Sequence, residues 1–455
     1  MRRFLQTSCL YVIGLLLVGY VLGGRGFAHV GVPPIYVGEV VLLLSLVLYL
    51  CAPDFRIFAD SRILWLLIAF DLWCLSRSLP HLEEYGVDTL RDSALYGYSA
   101  FAFIVASLMN DRHMVRGLVI AFDRALSVSV VLLPLFIVMA PRLANGPIDY
   151  VPFILLKAGD VAVHLSGVLA FRLLRLREAM APGHPLPRWL PDWLFWSSWM
   201  AAALWVIAGA RGGLLAMAAG ILVVFLFGYG RRPVALFVAA LVGVLTVMAV
   251  FGIRIETERR EISAEQILAN VLSITGERPA DAVGIDAVEL ESTATWRLLW
   301  WEDILDYTLF GEYFWTGKGF GENLADSDGY QVSELGDLRS PHNGHLTVLA
   351  RAGVPGLVLW GGLHVAFVTA LIRMAIRMKH AGADAWQRAN VWILATWAAA
   401  AVNATFDVYL EGPQGGIWYW SIIGTGLAVL AVERRMLMAQ AGGTRAGVLR
   451  PRAVS

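Results

Sequence analysis

Between Ser340 and Gly356 the chain sets an imidazole (His342), a carboxamide (Asn343), a second imidazole (His345) and a guanidinium (Arg351) ahead of an apolar run. A histidine is the usual group for taking a proton from a hydroxyl near neutral pH, because its pKa lies close to ambient. The bland alternative is a loop histidine that only caps the following helix. Asn343 beside it, Arg351 two to three turns on, and the hinge Gly353-Val354-Pro355-Gly356 weigh against that alternative. Arg211, in Ala210-Arg211-Gly212-Gly213, stands where two apolar runs meet. A cation at such a boundary must find a partner or snorkel. A guanidinium matches phosphate oxygens with paired donors, and the two glycines would let a bulky headgroup approach, so Arg211 is a candidate pyrophosphate ligand. Arg297, between Trp296 and the pair Trp300-Trp301, is a second candidate that makes sense only alongside Arg211 and His342.

Other polar groups carry weaker signals. Asp326-Ser327-Asp328 resembles the acidic triplet that holds a metal in nucleotide-sugar transferases, but the surrounding loop is too short for a nucleotide-binding domain and lacks the other ligands of a calcium loop. Gly317-x-Gly319-x-Gly321 has no strand before it and no clear helix after it, so it reads as a turn and not a phosphate loop. Glu39, Asp71, Asp123, Arg124, Lys157, Asp160, His164 and His364 fall in or near apolar runs, where such groups face a cavity or one another. Lys157 and Asp160, three apart, could pair locally. Glu83-Glu84 reads as solvated loop charge. Cys9, Cys51 and Cys74 all lie in apolar segments and suggest neither a disulfide nor a metal framework. No metal or cofactor is assigned.

The elements that must position these groups follow from composition. Of 455 residues 58% are hydrophobic and 16% charged, against about 25% charged in a soluble domain, and mean hydropathy is +0.63. Formal net charge is zero, which gives no reason to expect nucleic acid. Apolar runs near 5–23, 35–51, 63–76, 93–109, 117–140, 152–174, 192–209, 212–229, 233–252, 354–373, 389–406 and 415–433 suggest about twelve spans of a ~30 Å hydrocarbon layer. The first reads as a retained helix, not a cleaved signal. Arg and Lys favour one set of alternate loops and the two ends over the short loops of the other set by twenty-one to six. By the positive-inside rule both termini are then cytoplasmic and the long loop lies outside.

The expected architecture is an all-α polytopic membrane protein with about twelve transmembrane helices and one large extracytoplasmic loop. Residues 1–252 would hold nine spans, 253–345 the loop, 346–433 the last three spans with the His-Asn motif, and 434–455 a cytoplasmic tail. Within the loop, Glu256 to Ile274 reads as a polar helix and Asp281 to Glu291 as irregular. Thr293 to Tyr307 places Trp296, Leu299, Trp300 and Ile304 at helical spacing, a face suited to lying on the bilayer.

The string His342-Asn343-x-x-Leu346-x-x-Leu349-x-x-x-Gly353-x-x-Gly356 resembles the signature of the O-antigen ligase/polymerase superfamily. So do Arg211 opening a mid-chain run, the Arg297-x-x-x-Trp301 helix in the large loop, and the Gly317 to Gly321 turn before the histidine. The resemblance covers roughly residues 200–375. It implies an inverting, metal-independent glycosyltransferase of the cytoplasmic membrane, with its active site on the outer face. The donor would be a glycan on undecaprenyl pyrophosphate, and the acceptor lipid A-core, a growing polysaccharide or a protein. On this reading His342 is the base and Arg211 and Arg297 hold the pyrophosphate, while Asn343, His345, Arg351, Gly319 and Gly353 support the site. His345 lies close enough to compete for the base role. The rival readings are a membrane transporter, which should show broken helices in two related halves, and a non-catalytic part of a polysaccharide assembly complex.

Overall fold

A computed structural model of the chain describes residues 1–109, 111–140, 152–183, 191–252, 254–256, 261–263, 285–332 and 338–448. The fold is helical. The longer helices are α1 (Arg2–Ala28), α2 (Val37–Cys51), α3 (Ile63–Ser78), α4 (Val87–Gly97), α5 (Ser99–Leu108), α6 (Arg112–Met139) and α7 (Ala158–Leu173). They continue as α8 (Asp192–Gly209), α9 (Arg211–Leu226), α10 (Arg231–Val250), α11 (Ile285–Leu305), α12 (Gly344–His380), α13 (Asp384–Phe406) and α14 (Pro413–Val448). Among the described residues six stretches are long and apolar enough to cross a membrane: Arg3–Ala28, Ile63–Tyr85, Arg112–Met139, Gly344–His380, Asp384–Phe406 and Pro413–Gln440. The chain is therefore an all-α, multi-pass membrane protein. The twelve apolar runs all meet helix, but several of those helices are short. The 93–109 run is divided between α4 and α5, and α7 and α9 have 16 residues each.

Apolar side chains on the outside mark the lipid-facing surface. Leu43, Leu222, Leu226, Val358 and Val365 are each more than half exposed, an arrangement that suits hydrocarbon and is unfavourable in water. Between helices, small residues allow close approach, as is usual where lipid offers no hydrophobic drive to association. At Gly220 of α9 a Cβ would lie 1.9 Å from Ser166 Oγ and 3.1 Å from Ala395 O, so α9 can nest against α7 and α13 only with glycine there. That nesting fixes where Arg211, the first residue of α9, is presented.

The long loop departs from its sequence reading in three ways. Ile255–Glu256 pairs antiparallel with Glu261–Ile262, so the Glu256 to Ile274 segment opens as a hairpin and not a helix; most of the remainder lies outside the described residues. α11 already begins at Ile285, inside the stretch read as irregular. Its aromatic face is also covered by protein. Trp300 and Ile304 are fully buried with Leu324, Ala325, Leu349 and Ala350, and Trp296 packs on that cluster. Leu298 and Leu299 remain exposed. Helical spacing identified an apolar face, but the start of α12 covers it.

α12 is broken at Gly353, whose backbone (φ 67°, ψ −173°) is non-helical, with Pro355 just beyond. A broken membrane helix needs other partners for its freed backbone groups. The Gly317–Gly321 turn supplies them. Lys318 N donates to Ala350 O (2.8 Å), Gly319 N to Arg351 O (3.0 Å), and Val354 N to Phe314 O (2.8 Å), while Trp73 Nε1 donates to Ala352 O (2.8 Å). Gly317 and Gly319 both have positive φ. A Cβ on Gly317 would lie 2.4 Å from the Arg351 carbonyl carbon, so the strands of backbone meet only because glycine stands there.

A carboxylate locks the joint. Asp92 of α4, 8% exposed, forms an ion pair with Arg351 Nη2 at 2.9 Å and accepts from Arg339 Nη2 and Gly321 N, each at 3.0 Å. Arg351, 1% exposed, also donates to Gly319 O and Glu322 O. Removing one partner of a buried pair leaves the other charge uncompensated. Asp92→Ala is therefore expected to destabilise the protein by roughly 3 kcal/mol, read as a lowered unfolding temperature in detergent. Adding Arg351→Met should recover part of the loss; an unchanged unfolding temperature in the single variant would contradict the role assigned to Asp92.

Candidate functional site

α13 ends at Phe406, and Asp407 leaves the helix in extended conformation (φ −148°, ψ 162°). Three candidate cations meet at this corner. Lys157, the residue before α7, places Nζ 2.6 Å from Asp407 Oδ1. His342 Nδ1 lies 3.8 Å from the same oxygen. Arg297 Nη1 donates to Phe406 O at 3.3 Å. Arg211 opens α9 nearby, and the next residue, Gly212, lies so close to Phe406 that a Cβ would be 2.8 Å from Phe406 Cβ. The N-terminus of a helix is electropositive, so Arg211 adds its charge to an end already suited to an anion.

His342 is held by its neighbours. It has a positive φ of 54°, a conformation that costs a residue with a Cβ about 1 kcal/mol or more. On one side Trp301 Nε1 donates to Pro341 O at 2.8 Å. On the other, Asn343 caps α12, its Oδ1 accepting from His345 N and Leu346 N, both at 3.1 Å. The Trp296 ring stands edge-on to the imidazole at 6.4 Å. Both flanking tryptophans belong to α11, so the loop helix fixes the histidine. The imidazole stays 27% exposed, with Nδ1 toward Asp407, which leaves Nε2 as the nitrogen able to accept a proton.

His345 is differently placed. Trp360 Nε1 donates to its Nδ1 (3.0 Å), so its Nε2 carries the proton and donates to Ala401 O (3.1 Å). With both ring nitrogens engaged inside the protein, it has no lone pair for a substrate. The two imidazoles that sequence leaves in competition are separated by these partners.

The charges balance locally. Burial alone would raise the Asp407 carboxyl, but the His342 imidazole and the Lys157 ammonium outweigh it and hold it well below the usual carboxylate range. Burial lowers Arg297 from its ordinary value, opposed by Asp407; an arginine nonetheless stays cationic. The site thus offers a basic nitrogen, a carboxylate behind it and a set of cations around one turn.

The structure does not bring every candidate to this corner. Arg351 is consumed by Asp92 and the glycine turn, and Gly319 and Gly353 form the backbone joint. Asp328 accepts from Trp300 Nε1 (2.6 Å) and pairs with Lys318 (2.5 Å), so it pins α11 in place. Glu39 accepts from Tyr98, Asp71 from Ser99, and Asp123 pairs with Arg172 and Arg177. His164 packs on Trp418, and His364 meets Tyr419. Glu83 and Glu84 are exposed. Lys157 pairs across the fold with Asp407, not with Asp160 as spacing suggested. Sequence reasoning missed Asp407 altogether, although a lone carboxylate immediately after the 389–406 apolar run was a usable signal.

Asp407 holds its charge to lower pH when folded than when unfolded. The stabilisation it gives is therefore present above its unfolded pKa of about 4 and is lost as pH falls through the lower folded value. Asp407→Asn should lower the unfolding temperature by a near-constant amount between about pH 5 and 8, the gap closing only in stronger acid. A gap that closed between neutrality and about pH 5 would argue against the Lys157–Asp407–His342 arrangement.

No curated protein matches the chain. Residues 196–361, the stretch that carries Arg211, Arg297 and His342, match the family model described as O-antigen ligase, so this part of the chain is similar to that family.

Proposed function

We propose that this protein is an inverting glycosyltransferase that moves a glycan from undecaprenyl pyrophosphate to an acceptor hydroxyl on the outer face of the cytoplasmic membrane. The observation that carries the reading is the grouping of His342, Asp407 and Arg297 around the end of α13, beside the start of α9. His342 Nε2 takes the proton of the acceptor hydroxyl while Asp407 orients the ring and stabilises the imidazolium that forms, a division of labour familiar from carboxylate–histidine pairs. The hydroxyl oxygen attacks the anomeric carbon in line, its new bond forming as the bond from that carbon to the pyrophosphate oxygen breaks. The charge that develops on the departing pyrophosphate is met by Arg211, Arg297 and the N-terminus of α9. The pyrophosphate leaves on its lipid, and configuration at the anomeric carbon is inverted.

The positive-inside asymmetry supports an outward-facing site, where the acceptor would be lipid A-core, a growing polysaccharide or a protein. A transporter is less well supported: among the described residues the chemically suited groups gather at one end of the bundle, and no pair of related halves is evident.

Purified protein given a defined undecaprenyl-pyrophosphate glycan and each acceptor in turn tests the proposal. Transfer by the wild type and none by His342→Ala, with donor binding retained, is the expected result. Arg211→Lys should lose about tenfold or more in transfer, because a point ammonium forfeits the paired donors that phosphate oxygens use. Full transfer by His342→Ala, or wild-type donor affinity in Arg211→Lys, would remove that residue from the mechanism.

A further inference from the structure

Beyond the break at Gly353, α12 runs from Pro355 to Arg373 over about 27 Å, close to the hydrocarbon thickness of a bilayer. Arg373 and Arg377 therefore mark the membrane boundary opposite His342. A cleft of about 610 Å³ opens there between α12, α14 and the segment leading into α3. Four arginines rim it: Arg62, Arg373, Arg377 and Arg434. A second cleft of about 590 Å³ shares Arg62, Arg377 and Arg434 and continues along α14.

The charge is poorly balanced. Asp60 is the acidic residue in the lining, and its carboxylate lies 3.7 Å from Arg435 Nε, outside the cleft. Arg434 Nη1 donates to the Asp60 carbonyl at 2.5 Å. Among the described residues no acidic side chain pairs with Arg62, Arg373 or Arg377. The walls are apolar, formed by Val365, Leu427 and Leu430, and Val365 is 67% exposed. A cluster of cations at the end of an apolar wall that includes the exposed Val365 has the chemistry of a lipid headgroup site.

We propose that this cleft binds one anionic phospholipid, its phosphate among Arg62, Arg373 and Arg377 and an acyl chain along Val365 and Leu430. Apolar walls distinguish this occupant from a soluble anion, which would use the guanidinium groups alone. The site is separated by the bilayer from the His342 corner, so it is independent of the transfer reaction.

The test is native mass spectrometry of delipidated full-length protein in detergent, titrated with phosphatidylglycerol or phosphatidylcholine. The wild type should favour phosphatidylglycerol, and its binding should fall at least about tenfold as salt is raised, since exposed charges are screened. Arg62→Gln/Arg373→Gln/Arg377→Gln should bind phosphatidylglycerol on the order of 100-fold more weakly, with phosphatidylcholine unaffected. The corresponding triple lysine variant should keep most of the preference. Arg434 is left unchanged because it contacts Asp60. Equal affinity for the two lipids in the wild type, or undiminished phosphatidylglycerol binding in a folded glutamine variant, would overturn the proposal. So would glycerol phosphate binding as tightly as the intact lipid, or a polyprenyl phosphate outcompeting phosphatidylglycerol. Should the glutamine variant fail to fold, the wild-type lipid preference and its salt dependence decide.

Discussion

A helix that crosses lipid cannot leave backbone groups unpaired, and α12 is interrupted at Gly353, about three turns after His342. Everything on that side of the molecule answers to this constraint. The carbonyls of Ala350, Arg351 and Ala352 need donors, and the loop's glycine turn and Trp73 bring them. Approach at that distance requires glycine, and the turn stays in place because Arg351 reaches back to hold it and Asp92 neutralises Arg351. The loop is thereby part of the membrane bundle.

This anchoring explains how a loop residue can have a fixed side chain. α11 is seated on the first turns of α12 through Trp300 and Ile304, and its Trp296 and Trp301 bracket His342. On the opposite side the bundle contributes α13, whose end carries Asp407, and α7, whose start carries Lys157. The imidazole sits between two separately braced bodies. A positive φ at His342 is tolerable there because the cap at Asn343 and the hydrogen bond at Pro341 fix the chain on both sides.

His342, Arg211 and Arg297 stood out in the sequence because each is a polar residue in a place where lipid or an apolar neighbour penalises it, and the fold brings His342 and Arg297 to one corner beside the start of α9. Asp407 had only its place after an apolar run to mark it, because its pairing with Lys157 spans 250 positions and no local spacing encodes it. His345 could not be separated from His342 by type or position; only Ala401 and Trp360, brought up by other helices, engage its nitrogens. Arg351 has the spacing of an anion ligand, yet Asp92 claims it first. Periodicity correctly found the apolar face of α11 but carries no information on whether lipid or protein covers it. Helical class followed from composition, whereas the number of crossings depends on where helices stop, as at the division between α4 and α5.

The Asp92 joint also has a consequence for the order in which the chain can be assembled. Asp92 emerges early in synthesis, while Arg339 and Arg351 follow some 250 residues later. Until they arrive, a carboxylate destined for burial waits without its counter-ions, and the loop helix has no surface to settle on. Arrival of α12 is then the event that seats the loop helix and neutralises Asp92, while His342 gains its neighbour Asp407 only once α13 has followed. A chain stalled before that point would hold much of its membrane bundle but not the His342 corner, so that corner is formed late and from distant parts of the chain.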